Sequence, residues 1–281
     1  MPKVAVIILN YKVKDLTLKA LLSVKKSNYK NLQTIVVDNN SKDGLKEALK
    51  DQDGITFIQN DENLGYCGGN NIGIIRALDS GADYVFVLNP DAQVEKEAIK
   101  NLVEAAQKED IGIAGPKVLF DDRKTIWYAG GIFDMNNVIG AHRGVDEKDQ
   151  GQYNNVGETD FVTGAAIFIR RDVLDKIGLF DTRYFLYYED SDFCFRAKKV
   201  GFKVMFVPTA IVYHLNAQST KLGSPLQDYY ITRNRMIFAA KFLSTRTRLA
   251  LFREALRHLG KPARRLAFFD FLIGRFGSGS I

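Results

Sequence analysis

The sequence predicts an α/β fold: a mainly parallel sheet with helices on both faces, followed by a helical C-terminal extension. Three observations support this. Short runs rich in Val, Ile and Phe alternate with segments of helical spacing through the first half of the chain. Those runs are apolar at nearly every position, as strands covered on both faces are. Each is bounded by Asn, Asp or Gly, which turn the chain for local reasons.

The elements follow in order. Strands are expected at "VAVIILN" (4–10), "LQTIVVD" (32–38), "ITFIQN" (55–60) and "YVFVLN" (84–89). Between them, 14–27, 42–51 and 70–81 have helical spacing. A further helix fits 95–110, where Ile99, Leu102, Val103 and Ala106 share one face. Residues 112–170 carry more Gly and Asn and shorter apolar runs, which predicts a mixed, loop-rich insertion. A strand leading into a helix is expected over 161–178, then one or two strands over 203–214. From Leu226 the pattern is helical.

The totals bound the chemistry. With 281 residues, 46% of them hydrophobic, the chain can bury a sizeable core. Cys67 and Cys194 form no CxxC pair and are too few for a disulfide framework, which fits a reducing compartment. The run Val4–Leu9 is too short for a signal or a membrane span, so the chain is expected to stay cytoplasmic. The charge is uneven. From Lys241 on there are nine Lys/Arg and two acids, a net +7 within a formal +6 for the whole chain. That asymmetry points to a local anionic partner.

In an open parallel sheet, ligands bind beyond the carboxyl ends of the strands. Four predicted strands end there in polar residues: Asn10-Tyr11, Asp38 to Ser41, Asn60 to Asn63, and Asn89-Pro90-Asp91. Any one could be a plain turn; their convergence on one edge is the signal. Asp38 suits ribose hydroxyls or a pyrimidine N–H, or it orders its own loop, and Tyr11 suits a base. "NLGYCGGNNIG" (63–73) is Gly-rich at a helix start, which suits a diphosphate or close packing. Asp91 can hold a hard cation, and His214, ending "IVYH", gains weight only beside it. In "YFLYYEDSDFCFRAKK" (184–199), Glu189 and Asp190 sit among aromatic rings. Those rings are expected to wall a partly dry acceptor site, which would raise a carboxylate's pKa. Asp192 and Arg196 have ion-pair spacing on a helix.

Taken in order, "NYK", "VVDNNSKDG", "NLGYCGGNNIG", "LNPDA", "FVTGAAIFIRRDVLDKIGLFD", "YYEDSDFCFRAKKVGFK" and "VYH" resemble the inverting family 2 glycosyltransferases of the GT-A fold. The rhamnosyltransferase-like enzymes of polysaccharide biosynthesis are the subgroup matched best. The resemblance spans roughly residues 3–240 and implies a nucleotide-diphosphate sugar donor, dTDP- or UDP-linked, with Mg²⁺ or Mn²⁺. It implies a catalytic domain over 1–222, with a nucleotide-binding part to about 110 and an acceptor part after it, and a helical extension over 223–281.

By position, the resemblance assigns Asn10, Tyr11 and Asp38 to the nucleoside, and Asn63, Gly65, Gly69 and Asn70 to the donor pocket. Asn89-Pro90-Asp91 stands at the family's DxD-type motif with Asn for the first acid, so Asp91 and His214 would hold the metal. Thr163, Gly164 and Ala165 lie beside the acceptor. Asp190 takes the place of the general base, with Glu189 as its neighbour. Tyr188 is expected to touch the acceptor, and Arg233 to reach the diphosphate.

In the tail, Leu249, Phe252, Leu256 and Leu259 recur at helical spacing, with Arg246, Arg253 and Arg257 along one flank. This suits an anionic membrane surface at the inner face of the cell membrane, where a lipid-linked saccharide acceptor would lie. The other readings are a helix packed on the catalytic domain and a homo-oligomer contact. No nucleic-acid motif is present. Other function classes are a sugar nucleotidyltransferase, which would need a basic Gly-rich N-terminal loop, and a non-catalytic nucleotide-sugar binding protein. A Rossmann dehydrogenase is disfavoured by the missing GxGxxG.

Overall fold

The computed structural model describes residues 1–108, 110–215 and 223–281. The first half contains β1 (Val4–Asn10), α1 (Lys14–Lys25), β2 (Leu32–Asp38), α2 (Leu45–Leu49), β3 (Ile55–Gln59), α3 (Gly65–Asp79), β4 (Tyr84–Leu88), β5 (Ala92–Val94) and α4 (Ala98–Ala106). Then come β6 (Ile111–Phe120), β7 (Ile126–Tyr128), the hairpin β8 (Gly131–Asp134) and β9 (Ile139–His142), β10 (Gly157–Glu158) and β11 (Ala166–Arg170). The chain continues through α5 (Arg171–Ile177), α6 (Glu189–Lys199), β12 (Lys203–His214), α7 (Pro225–Phe242), α8 (Thr245–Arg257) and α9 (Pro262–Leu272). The expected boundary at residue 222 lies outside the described residues.

One sheet runs β10-β12-β6-β11-β4-β1-β2-β3. The four predicted N-terminal strands form the parallel block β4-β1-β2-β3, with Asn10 in register with Asp38. Their carboxyl ends therefore share one edge. β11 is antiparallel to both β4 and β6, while β6 and β12 are parallel, so the sheet is mixed with a mostly parallel centre.

Alternate residues of β1 feed two cores, as the period of two requires. Val4, Val6 and Ile8 meet Ala20, Leu21 and Val24 of α1, and the predicted face of α4 lies in the same core. Ala5 and Ile7 join Ile74 and Ala77 of α3, together with residues of α5, α6 and α7.

The reading of 112–170 as a loop-rich insertion is corrected at its start: β6 is a buried strand inside the sheet. Gly112, Gly115 and Pro116 break its apolar run. The glycines are there for space, since a Cβ at Gly112 would strike Val173 and Phe202, and one at Gly115 would strike Val162. The segment 203–214 is a single strand that bulges between Val207 and Ile211 and ends at His214.

The helical tail packs on the sheet-bearing part of the chain. Ile237, Phe238, Ala239, Leu243 and Leu251 lie in the same core as Ala5 and Ile7. Among the described residues, no helix is long and apolar enough to cross a membrane.

Candidate active site

The parallel block delivers its polar ends as a network. Asn10 Nδ2 donates to Asp38 Oδ1 at 2.6 Å and to Ser41 Oγ at 2.9 Å. Asp38 Oδ2 accepts from Ser41 N and Gln59 Nε2. Burial raises the Asp38 carboxyl, yet hydrogen bonds from Ser41, Asn10 and Gln59 outweigh it and hold it below its ordinary value. The loop-ordering role of Asp38 is thus realised. Beside it Tyr11 is 42% exposed, an open ring at the edge.

Asn63 Oδ1 accepts from Asn39 Nδ2 and from Gly65 N, closing the turn into α3. Gly65 has φ +70° and lies against Phe185, while a Cβ at Gly69 would strike Leu9 and Asn39. The glycines therefore serve close packing of α3 on the sheet edge. Asn70 is buried, and its Oδ1 has no hydrogen-bond partner among the described residues.

Asp91 and His214 meet because β5 pairs with the end of β12, placing Ala92 opposite His214. Asp91 Oδ1 lies 3.2 Å from His214 Nε2, and both residues are buried. Among the described residues, Asp91 Oδ2 and both His214 ring nitrogens have no hydrogen-bond partner. A buried carboxylate and imidazole with unspent lone pairs fit a divalent cation. Among the described residues, no group of three or more His, Cys, Asp or Glu could hold a metal ion. Two protein ligands would leave positions for phosphate oxygens and water.

Trp127 was not anticipated here. Its ring centroid is 4.5 Å from that of His214 and 4.4 Å from that of His142, and its carbonyl accepts from His142 Nδ1 at 3.1 Å. Burial pushes His142 down to about 4, so it is neutral and available as that donor. The available signal was that Trp127 is the only tryptophan in the chain.

The acids at 189 and 190 open α6. Asp190 Oδ2 accepts from Gly164 N at 3.0 Å and Oδ1 from Ser191 N at 2.6 Å. Burial raises its pKa against those hydrogen bonds. Glu189 is buried with Oε2 unpartnered among the described residues, and burial, then the Asp190 charge, lifts it well above its ordinary value. Asp190 is partly accessible and Glu189 is not. A second unanticipated residue, Tyr66, donates to Gly164 O at 2.6 Å, so Gly164 is held on both its faces. Thr163 Oγ1 accepts from Ala165 N. Ala165 O accepts from Asn89 N at 2.9 Å, which ties this segment to the start of the Asn89–Asp91 turn.

Asp192 is fully buried and pairs with Arg196 at 2.7 Å, as its spacing predicts, and also with Lys241 of α7. The rings behave differently from the expectation of acceptor-site walls. Phe195 packs on Phe133, Phe238 and Phe242, and Phe193 packs on Phe180. They join α6 to the β8–β9 hairpin, α7 and the 180–184 segment. The Tyr188 hydroxyl donates to Val138 O at 2.6 Å, so only its ring remains for an acceptor.

The expected reach of Arg233 to a diphosphate is corrected. Arg233 is fully buried, and its guanidinium donates to Arg183 O, Tyr184 O, Gly277 O and the Tyr229 hydroxyl. Its charge is spent on carbonyls inside the protein.

Known proteins resemble this chain over most of its length. A dTDP-rhamnosyl transferase of Shigella flexneri is 28% identical over 247 residues, covering 84% of this chain and 79% of the relative. An N-acetylglucosaminyl-diphospho-decaprenol L-rhamnosyltransferase of Mycobacterium tuberculosis is 28% identical over 225 residues, covering 71% and 72%. The structure of a mannosyltransferase from Pyrobaculum calidifontis, in complex with GDP-Man and Mn²⁺, superimposes with a TM-score of 0.63 at 18% identity. That match covers 100% of this chain and 76% of the other, and it establishes the GT-A fold. The family model for glycosyl transferase family 2 matches residues 5–178. With the strand-edge network, the buried Asp91–His214 pair and the Asp190 carboxylate inside that fold, the chain belongs to glycosyl transferase family 2.

Proposed function

We propose that this enzyme is a metal-dependent inverting glycosyltransferase that moves rhamnose from dTDP-rhamnose to a hydroxyl of a saccharide or lipid-linked saccharide. The observation that carries the reading is the Thr163–Ala165 bridge: Gly164 N holds Asp190, and Ala165 O holds Asn89 two residues before Asp91. The base and the cation pair are thereby tied to one short segment. The rhamnosyl specificity draws support from the Shigella flexneri and Mycobacterium tuberculosis relatives, both rhamnosyltransferases. A UDP-hexose is the second candidate donor.

Asp190 takes the proton of the acceptor hydroxyl as that oxygen attacks the anomeric carbon from the face opposite the nucleotide. The new C–O bond forms as the bond to the diphosphate breaks, and the diphosphate leaves with that electron pair. Asp190 suits this task because its raised pKa gives it proton affinity while Gly164 N and Ser191 N fix its direction. Burial raises the Glu189 carboxyl, which disfavours a second negative charge beside the developing alkoxide. Asp91 and His214 would hold the divalent cation, which when bound neutralises negative charge on the departing diphosphate. Tyr11 offers its open ring to the base, and the Asn10–Asp38 network shapes the nucleoside end of the pocket.

Replacing Asp190 by Asn abolishes transfer and preserves donor binding. Near-normal turnover by that variant would remove Asp190 as the base. Activity of wild type falls on acidification, with a midpoint above the ordinary aspartate value of 3.8. Thermal stabilisation across a panel of sugar nucleotides, with Mn²⁺ present, selects the donor.

The tail supports work at the inner face of an anionic membrane. Leu249, Phe252 and Leu256 of α8 are exposed, and so are Phe269, Leu272 and Ile273 at the end of α9. The stripes meet at Phe268, whose ring lies 5.1 Å from Phe252 and 5.8 Å from Phe269. Arg246, Arg253, Arg257, Lys261 and Arg265 around them are exposed. Flotation with phosphatidylglycerol vesicles, lost on Leu249→Glu, is expected; equal absence of binding in wild type would leave the patch as a surface for another partner.

A further inference from the structure

The segment leading into Glu189 and Asp190 runs through backbone that bulky side chains avoid. Phe185, Tyr187 and Tyr188 have φ of 61°, 69° and 73°. For aromatic residues these are genuine outliers, and they persist only where the surroundings over-determine them. The loop ends at the first turn of α6, so its path sets where the two acids point.

Every carbonyl of that path is held from outside it. Asn234 of α7 is fully buried, and its Nδ2 donates to Tyr184 O at 2.9 Å, Leu186 O at 2.8 Å and Tyr187 O at 2.8 Å. Arg233 Nη2 donates to Arg183 O and Tyr184 O, both at 3.2 Å. The remaining carbonyl, of Phe185, accepts from Tyr66 N at 2.8 Å at the start of α3. The residue types fit the task. Carbonyls only accept, and a side-chain amide with two N–H groups beside a guanidinium with five supplies donors without adding a free charge on this face. An apolar residue of similar size would fill the space and leave buried carbonyls unsatisfied.

We propose that Arg233 and Asn234 are positioning residues for the general base. They act as a clamp on α7 that holds the carbonyls of residues 183, 184, 186 and 187, keeps Phe185, Tyr187 and Tyr188 left-handed, and so aims Asp190 at Gly164 and the acceptor. The clamp itself is a structural inference; its effect on rate rests on Asp190 being the base. It makes α7 a working part of the site through its hold on the loop's backbone carbonyls, beside the ring contacts of Tyr230 with Phe185 and Phe238 with Tyr188.

The test compares wild type with Asn234→Ala and with Arg233→Lys, which keeps the charge but loses the planar fork. The measurements are kcat, donor KM, the acid midpoint of kcat/KM, and hydrogen exchange of amides 184–190. The expected result is a fall in kcat on the order of a hundredfold for Asn234→Ala with donor KM unchanged. The acid midpoint shifts, and amides 184–190 exchange faster. Glycine adopts positive φ without strain. Adding Tyr187→Gly to Asn234→Ala should therefore recover part of the lost kcat. The proposal is overturned if both variants keep the wild-type kcat and midpoint. It is equally overturned if kcat falls while amides 184–190 stay as protected as in wild type, or if melting temperature falls with kcat per folded molecule unchanged. Should Asn234→Ala fail to fold, Arg233→Lys carries the same readouts. Normal turnover by Asp190→Asn would instead remove the base assignment, and the exchange measurement would still decide the clamp.

Discussion

Glu189 and Asp190 are neighbours in sequence with opposite surroundings. Asp190 spends both oxygens on N–H groups, whereas Glu189 Oε2 is buried and unpartnered. Burial, then the charge of Asp190, raises Glu189 well above 4.5. The folded state therefore keeps a proton that the unfolded chain releases. This group's contribution to stability is full below about 4.5 and is lost as pH rises through the folded value. Glu189→Gln removes that titration, so melting temperature should decline less between 4.5 and neutral pH than in wild type; an equal decline would assign the slope to other groups. Trp127 offers a second reading at this scale. It is the sole tryptophan and lies against His214. Mn²⁺, a paramagnetic quencher, should dim its fluorescence where Mg²⁺ does not, and His214→Ala should remove the effect. Mn²⁺ bound by spin resonance without quenching would place the cation elsewhere.

At the scale of elements, α6 combines the proposed base with a structural ion pair. Its first turn carries Asp190. Two residues further on, the fully buried Asp192 receives Arg196, Lys241 and the Tyr184 hydroxyl. Asp192→Ala takes a shared carboxylate from Arg196 and from Lys241, which keeps Asp181, and should cost about 3 kcal/mol in chemical denaturation. A loss under ~1 kcal/mol would mean solvent already carries those cations. The pairing with Arg196 was legible from the i,i+4 spacing; Lys241 was not, because a tertiary contact between α6 and α7 leaves no local periodicity. β6 shows the same limit from the other side. Its glycines read as loop, yet they are the positions where α5, Phe202 and Val162 press on the strand.

For the whole molecule, the tail and the catalytic part share one hydrophobic core. Thermal unfolding should therefore give one transition, and residues after 222 should not melt separately. Two resolved transitions in calorimetry would restore an independent extension. Leu249, Phe252 and Leu256 of the stripe that sequence spacing selected are exposed, whereas its fourth member, Leu259, packs against the cluster of Met236, Ala255 and Phe268; Leu251 and Ala255, outside that stripe, are buried. A membrane-facing stripe and a core-facing one have the same helical period, so periodicity marks the face and leaves its occupant open.

Local rules were enough for the parallel strands, because an unbroken apolar run with polar ends has few other uses. They were enough for the strand-edge residues, because parallel strands must end on one side. They also selected Asp91 with His214, and Asp190, as candidates through a resemblance carried by several motifs in order. Only the tertiary structure decided that Arg233 faces carbonyls and not a diphosphate, that most rings of 184–199 glue helices together, and that Trp127 covers His214. The physical reason is common to all three. Whether a donor or a ring meets a ligand or the protein's own backbone depends on residues far away in the chain, and spacing along one segment carries no record of them.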